Sequence, residues 1–271
     1  MPRARRRTLS ALGAQALLMA ACVSAGTFDA TAPAGFEVVW PVGADPSALE
    51  RGAPGVLLVV GCGGASIVEG RSHYRDVATE LARLGYATMV VDYVRAHGRK
   101  RACGEHPSSE EVVRYLELSW ERMAGFPRTD ATRLFLMGWS RGGTAVLDFL
   151  GTSPYAAEVR GAVLWYPDCR RLLPPLSAPP TAPTLWLFAG DDNVAPPDPC
   201  TPLVERWGDA AQTHTFPGAH HGFDMPELDP GIDAREYILF GPERTLRYDS
   251  VAAATAWEAA ERFLRSGSGG P

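Results

Sequence analysis

The sequence predicts an α/β protein built on a mainly parallel sheet, and three observations carry that reading. Runs such as GVLLVV (55–60), ATMVVD (87–92) and GAVLWY (161–166) are continuously apolar, as strands covered on both faces are. Segments with helical apolar spacing lie between them. The hexapeptide GWSRGG (138–143) stands where a strand becomes a helix, with LFLM before it and TAVLDFL after it.

In chain order, VVW (38–40) reads as the first strand, followed by 55–60 and 87–92. RLFLM (133–137), GAVLWY (161–166), TLWLFAG (184–190) and THTF (213–216) complete the series. Helices are predicted over YRDVATELARLG (74–85), EEVVRYLELSWERM (110–123), TAVLDFL (144–150) and SVAAATAWEAAERFLR (250–265). The Pro-rich stretch 174–183 reads as a surface connection, because a core strand follows at once. These elements make one domain over 26–265, with SGSGGP (266–271) as a flexible tail.

The first residues differ in kind. Arg3, Arg5, Arg6 and Arg7 precede LSALGAQALLMAA, an apolar stretch too short to span a bilayer that ends in small residues. Residues 1–25 therefore read as an export signal. Ala-Ala-Cys22 after Leu-Met resembles a lipoprotein signal over 1–21, which would leave Cys22 as a lipid-bearing N-terminus; Val23-Ser24-Ala25 suits an ordinary signal peptidase equally well. The expected location is periplasmic, secreted or lipid-anchored. Removing 1–25, with four arginines and no acid, takes the formal charge from −5 to −9. No basic patch is legible, which speaks against nucleic acid as a partner. The cysteines show no C-x-x-C spacing, so no metal is expected, and no cofactor is needed.

In strand–G-x-S-x-G–helix, the tight turn lifts the serine hydroxyl above the sheet, and Gly138 and Gly142 allow close backbone approach. The following helix N-terminus favours developing negative charge. A serine needs a base and the base an orienting acid, in folds of this kind in the order Ser, acid, His. Downstream, LWLFAGDDNVAP ends a strand on Asp191-Asp192, and FPGAHHGFD offers His220-His221 after the next. Both groups fall at carboxyl ends of strands, where open α/β sheets bind ligands. One oxyanion donor is the backbone N–H of Arg141, the residue after the nucleophile; the second comes from the loop Gly61-Cys62-Gly63-Gly64.

From Gly55 to Leu264 the chain resembles the dienelactone hydrolase family of α/β-hydrolases, especially exported bacterial members with a serine nucleophile. VVGCGG resembles the family's H-G-C-G-G loop, and GYATMVVDYVRAHG its G-Y-x-x-x-x-x-D-S-F-x-P-R-G; YPDC, DDNVAPPDPC, PGAHHGFD and the closing LRYDSVAAATAWEAAERFL have counterparts. The resemblance implies an α/β-hydrolase fold with helices on both faces of the sheet. It also chooses between neighbours. The family's acid stands four residues before a proline and eight before a cysteine, which selects Asp192 through Pro196 and Cys200. Its histidine directly precedes a small residue, Phe and Asp, which selects His221. It favours the amide of Cys62 as the second oxyanion donor.

The departures concern substrate. Enzymes acting on dienelactone use a cysteine nucleophile with a glutamate in the loop that here reads Gly-Cys-Gly-Gly, so dienelactone is not the expected substrate. Val60 replaces the usual histidine, and Ala96-His97 replaces Pro-Arg. The expected activity is hydrolysis of small carboxylic esters or lactones through Ser140, His221 and Asp192 and an acyl-enzyme. The alternatives are acyl transfer or peptide cleavage by the same triad, or a hydrolase-like binding protein. Trp139 and Phe223 suggest aromatic surfaces near the site, and a short connection after 161–166 suggests an open cleft without a lid.

In this fold, strand 55–60 should pair with 87–92, and 161–166 with 184–190. Cys62 and Cys103 then leave one pair of neighbouring strands, Cys169 and Cys200 another. Strands about 4.8 Å apart suit the Cα separations of disulfides. The expectation is Cys62–Cys103 and Cys169–Cys200, the alternative being buried free thiols. The sequence is silent on oligomeric state.

Overall fold

The computed structural model describes residues 36–41, 52–66, 68, 71–104, 107–173, 176, 178–233 and 244–268. The segment read as an export signal, residues 1–25 with Cys22, lies outside the described residues.

Seven strands form one sheet in the order β1-β3-β2-β4-β5-β6-β7. They are β1 Phe36–Val39, β2 Ala53–Val59, β3 Ala87–Val91, β4 Thr129–Trp139, β5 Gly161–Trp165, β6 Thr184–Ala189 and β7 Ala211–Phe216. All pair in parallel except β1, which runs antiparallel against β3 at the sheet edge. The expected pairings of β2 with β3 and of β5 with β6 are present. Every residue of β3, β5 and β6 is buried, so both faces of the sheet are covered, which is why these strands read as unbroken apolar runs.

The cover comes from α1 His73–Arg83, α2 Ser109–Ala124, α3 Arg141–Thr152, α4 Thr201–Trp207 and α5 Ser250–Gly267. Local chemistry sets their starts. Ser108 and Glu111 form a reciprocal capping box at α2, and Asp249 accepts from the amides of Val251 and Ala252 at α5, both at 3.0 Å. The predicted tail needs correction at its start, because α5 runs on through Ser266 and Gly267. The Gly267 carbonyl accepts from Arg160 Nε at 2.6 Å, and the Ser268 hydroxyl meets Tyr86 Oη at 2.9 Å. A two-stranded ribbon, β8 Ile232–Asp233 and β9 Thr245–Leu246, lies beside the His221 loop. Among the described residues no helix is long and apolar enough to cross a membrane.

Both disulfides are formed. Cys62–Cys103 has a Cα separation of 4.7 Å and Cys169–Cys200 one of 5.2 Å. The first joins the loops leaving β2 and β3, the second those leaving β5 and β6. Bonds of this kind point to an oxidising, exported compartment.

The chain leaves β2 toward β3 on one side and returns to β4 on the other. That reversal makes a crevice outside the carboxyl ends of β2 and β4, where doubly wound sheets bind ligands. Ser140 and the loop 61–64 face each other across it.

Candidate active site

Ser140 follows β4 directly and precedes α3 directly, with φ 53° and ψ −121°. This is left-handed backbone for a β-substituted residue, costing about 1–3 kcal/mol, and it persists only where the surroundings dictate it. Here they do. A Cβ on Gly138 would stand 2.5 Å from the Gly142 carbonyl oxygen, and one on Gly142 would stand 2.2 Å from the Val59 oxygen. The Ser140 amide donates to the Trp165 carbonyl at 2.8 Å, and its carbonyl accepts from the Thr144 amide at 3.0 Å. The turn is thus sewn to β5 on one side and to α3 on the other.

His221 Nε2 lies 2.9 Å from Ser140 Oγ, and His221 Nδ1 lies 2.7 Å from Asp192 Oδ2. Asp192 and His221 are 5% and 6% exposed. The other oxygen of Asp192 accepts from the amides of Val194 and Ala195 at 2.8 and 2.7 Å, so the carboxylate is oriented by its own turn. The geometry therefore joins Ser140, His221 and Asp192. Asp191 is exposed, and its amide donates to the Ala219 carbonyl at 2.9 Å, tying the acid loop to the histidine loop. His220 is half-buried, and no bond links it to Ser140 among the described residues.

The loop 61–64 turns on Gly64, whose φ is +80° and whose amide donates to the Gly61 carbonyl at 3.1 Å. Gly61 presses on the Ser140 turn, where a Cβ would meet Trp139 O at 3.4 Å and Ser140 Cβ at 3.6 Å. The amides of Cys62 and of Arg141, the first residue of α3, have no hydrogen-bond acceptor among the described residues. The Cys62 carbonyl accepts from the Ala102 amide at 2.8 Å. The Arg141 guanidinium donates to the carbonyls of Ala102, Gly104 and Pro107, gripping the segment that carries Cys103.

Two spaces meet at Ser140. One is an apolar pocket of about 80 Å³, walled by Tyr74, Trp139, Tyr166, Met225, Leu228 and Leu246. The other is a wider cleft of about 340 Å³, bordered by Arg170, Arg171 and Arg244. Trp139 reaches the apolar pocket as expected, whereas Phe223 is core, packed against Trp165, Tyr166 and Phe216. Among the described residues no three His, Cys, Asp or Glu side chains converge as a metal site.

Sequence reasoning missed Tyr74, Tyr166, His73 and Asp224. Tyr74 Oη accepts from the Gly61 amide at 2.9 Å. The Tyr166 ring lies 4.6 Å from that of His221, centroid to centroid. Asp224 stood inside the motif that selected His221, so a signal for it was present. Tyr74 carried none beyond the start of a helical pattern, and His73 lay just before it.

A model of the dienelactone hydrolase family matches residues 43–268. The chain belongs to that family. It is a hydrolase of the α/β-hydrolase fold, acting on small molecules. Among solved structures, a dienelactone hydrolase-like promiscuous phosphotriesterase from metagenomic libraries is 18% identical, with a TM-score of 0.65 over 85% of this chain and 91% of that one. An esterase of the planctomycete Thermogutta terrifontis is 15% identical, with a TM-score of 0.56 over 90% and 93% of the two chains. An α/β hydrolase from a Medee basin deep-sea metagenome is 16% identical, with a TM-score of 0.60 over 90% and 99%. At these identities the likeness is one of fold. No curated protein matches the chain.

Proposed function

We propose that the protein is an exported serine esterase or lactonase, with Ser140 as nucleophile, His221 as general base and acid, and Asp192 as the group that orients His221. The supporting observation is the unbroken relay from Ser140 Oγ to His221 Nε2 at 2.9 Å and from His221 Nδ1 to Asp192 at 2.7 Å, set on a strained turn. Ser140 Oγ attacks the carbonyl carbon as its proton passes to His221 Nε2, while Asp192 accepts from Nδ1–H and stabilises the imidazolium. The amides of Cys62 and Arg141 receive the oxyanion. Collapse expels the alcohol with the proton from His221 and leaves an acyl-serine. Water then attacks, His221 takes its proton, and collapse returns that proton to Ser140 Oγ as the acid departs.

The pocket of about 80 Å³ suits a short acyl chain, and the wider cleft gives the alcohol a way out. A p-nitrophenyl ester series on wild type and Ser140→Ala tests the reading. Acetate and butyrate should be preferred over long chains, with turnover abolished in Ser140→Ala and its melting unchanged. Preference for long-chain esters contradicts the pocket assignment, and a Ser140→Ala protein that still turns over contradicts the nucleophile.

A further inference from the structure

The carboxylate of Asp224 lies in the interior beside the relay and touches none of its three members. Two donors and one imidazole converge on it. Trp139 Nε1–H donates to Oδ2 at 2.7 Å, Tyr166 O–H donates to Oδ1 at 2.5 Å, and His73 Nε2 lies 2.9 Å from Oδ2. Each leads to a different part of the site. Trp139 is the residue before Ser140, and Tyr166 packs its ring on His221. His73 meets Tyr74 and Trp139 edge-on, and Tyr74 receives the amide of Gly61 in the oxyanion loop.

We propose that Asp224 is a positioning residue for the hydrolase reaction: one buried carboxylate, with His73 beside it, fixes Trp139 behind the nucleophile and Tyr166 against the base. The proposal rests on the triad reading above.

The alternative, a carboxylate that serves the fold alone, leaves two features unused. Tyr166 is a bulky residue at φ 37°, a conformation that persists only under outside constraint, and its hydroxyl bond to Asp224 supplies such a constraint beside the bond from its amide to the Leu187 carbonyl at 2.8 Å. A buried ion pair is also a poor way to gain stability, since desolvation offsets the attraction, and its well-attested use is to specify one arrangement. The charge state agrees. Burial pushes the Asp224 carboxyl up, but the adjacent His73 charge, with the bonds from Tyr166 and Trp139, outweighs it and holds the carboxyl below the usual range. Burial pulls His73 down, and Asp224, with Glu227 and Asp76 behind it, raises it above the usual imidazole value. Among the residues bordering the apolar pocket are Trp139 and Tyr166 but not Asp224, so its influence reaches substrate through them. A displacement of about 1 Å at reacting groups can cost on the order of 100-fold in rate, which sets the scale.

The test is kcat per titrated active site, with a fluorophosphonate reagent as titrant, for wild type, Asp224→Asn, Tyr166→Phe and the double variant. Asn keeps the volume but offers one acceptor oxygen where two donors meet, and carries no charge toward His73. Asp224→Asn should lower kcat by about 10- to 100-fold, with a smaller change in KM and full fluorophosphonate titre. Tyr166→Phe should lower it by less, and the double variant should be no worse than Asp224→Asn alone, because the two act through one contact. Wild-type kcat in Asp224→Asn, or losses that multiply in the double variant, overturns the proposal. Should Asp224→Asn not fold, Tyr166→Phe and His73→Gln decide: reduced kcat per site in both supports it, and wild-type kcat in either overturns it. A wild type that takes up no reagent at Ser140 instead overturns the triad reading, so the two failures are distinguishable.

Discussion

The two disulfides close loops of similar length, with sequence separations of 41 and 31, yet they hold different things. By chain entropy alone each contributes about 4 kcal/mol, with a difference of only a few tenths between them. Cys169–Cys200 staples loops beyond β5 and β6, where Asp192 is already oriented by the amides of Val194 and Ala195. Cys62–Cys103 holds the loop 61–64, proposed above to receive the oxyanion, which sits on Tyr74 Oη and is also tied through the Ala102 amide and the Arg141 grip on its neighbour. On the proposed mechanism, the same covalent chemistry serves stability at one place and positioning at the other.

The largest expected effect sits outside both staples. His221→Ala should lower kcat by about 10⁴-fold or more, whichever disulfides are intact. Measured in each single-disulfide background, the loss should be the same; a smaller loss in the Cys62/Cys103 variant would mean that the oxyanion loop had already ceased to contribute.

Next comes the comparison itself. Replacing Cys62 and Cys103 by Ser should lower kcat per active site by about 10- to 100-fold, approaching the cost of one oxyanion donor. Replacing Cys169 and Cys200 should leave kcat within about two-fold while destabilising the fold by about 2–5 kcal/mol in denaturant unfolding. Equal kcat in the two double variants breaks the distinction. Arg141→Lys sharpens it. The guanidinium bonds three carbonyls, a fork that an ammonium cannot reproduce, so kcat should fall by about 3- to 10-fold with both disulfides intact.

The smallest effect is on pH dependence of stability. His73 is raised above its ordinary value, so its contribution is complete below about pH 6.5 and fades as pH rises through the folded-state pKa. Burial raises Asp148, under the Leu173 amide, to about 7, so its contribution likewise fades as pH climbs toward neutrality. Asp224 is lowered, and its share is lost only as pH falls below the ordinary carboxylate range. Melting temperature should therefore decline from pH 5 to 8, and His73→Gln or Asp148→Asn should flatten that decline. A flat wild-type profile contradicts it.

How much of this was legible follows physical lines. The buried strands were legible because burial on both faces leaves no polar alternation, but that same signal says nothing of direction, and β1 proved antiparallel. The start of β4 at Thr129 was missed because its first residues are polar and partly exposed. The helix Thr201–Trp207 was missed because seven residues with proline in the first turn leave too short a period to read. The relay was legible because Ser140, Asp192 and His221 each follow a strand, in an order the fold constrains, and because the family resemblance chose Asp192 and His221 over their neighbours. The ring of polar groups around Asp224 was not, because His73, Trp139 and Tyr166 come from three distant elements and look apolar or neutral in their own segments.

Reaction with a fluorophosphonate, followed by peptide mapping of the adduct, tests the central claim most directly. One equivalent should attach to Ser140 with loss of ester turnover in proportion, and Ser140→Ala should take up none. An adduct on another residue, or ester turnover that survives complete modification of Ser140, would contradict the account.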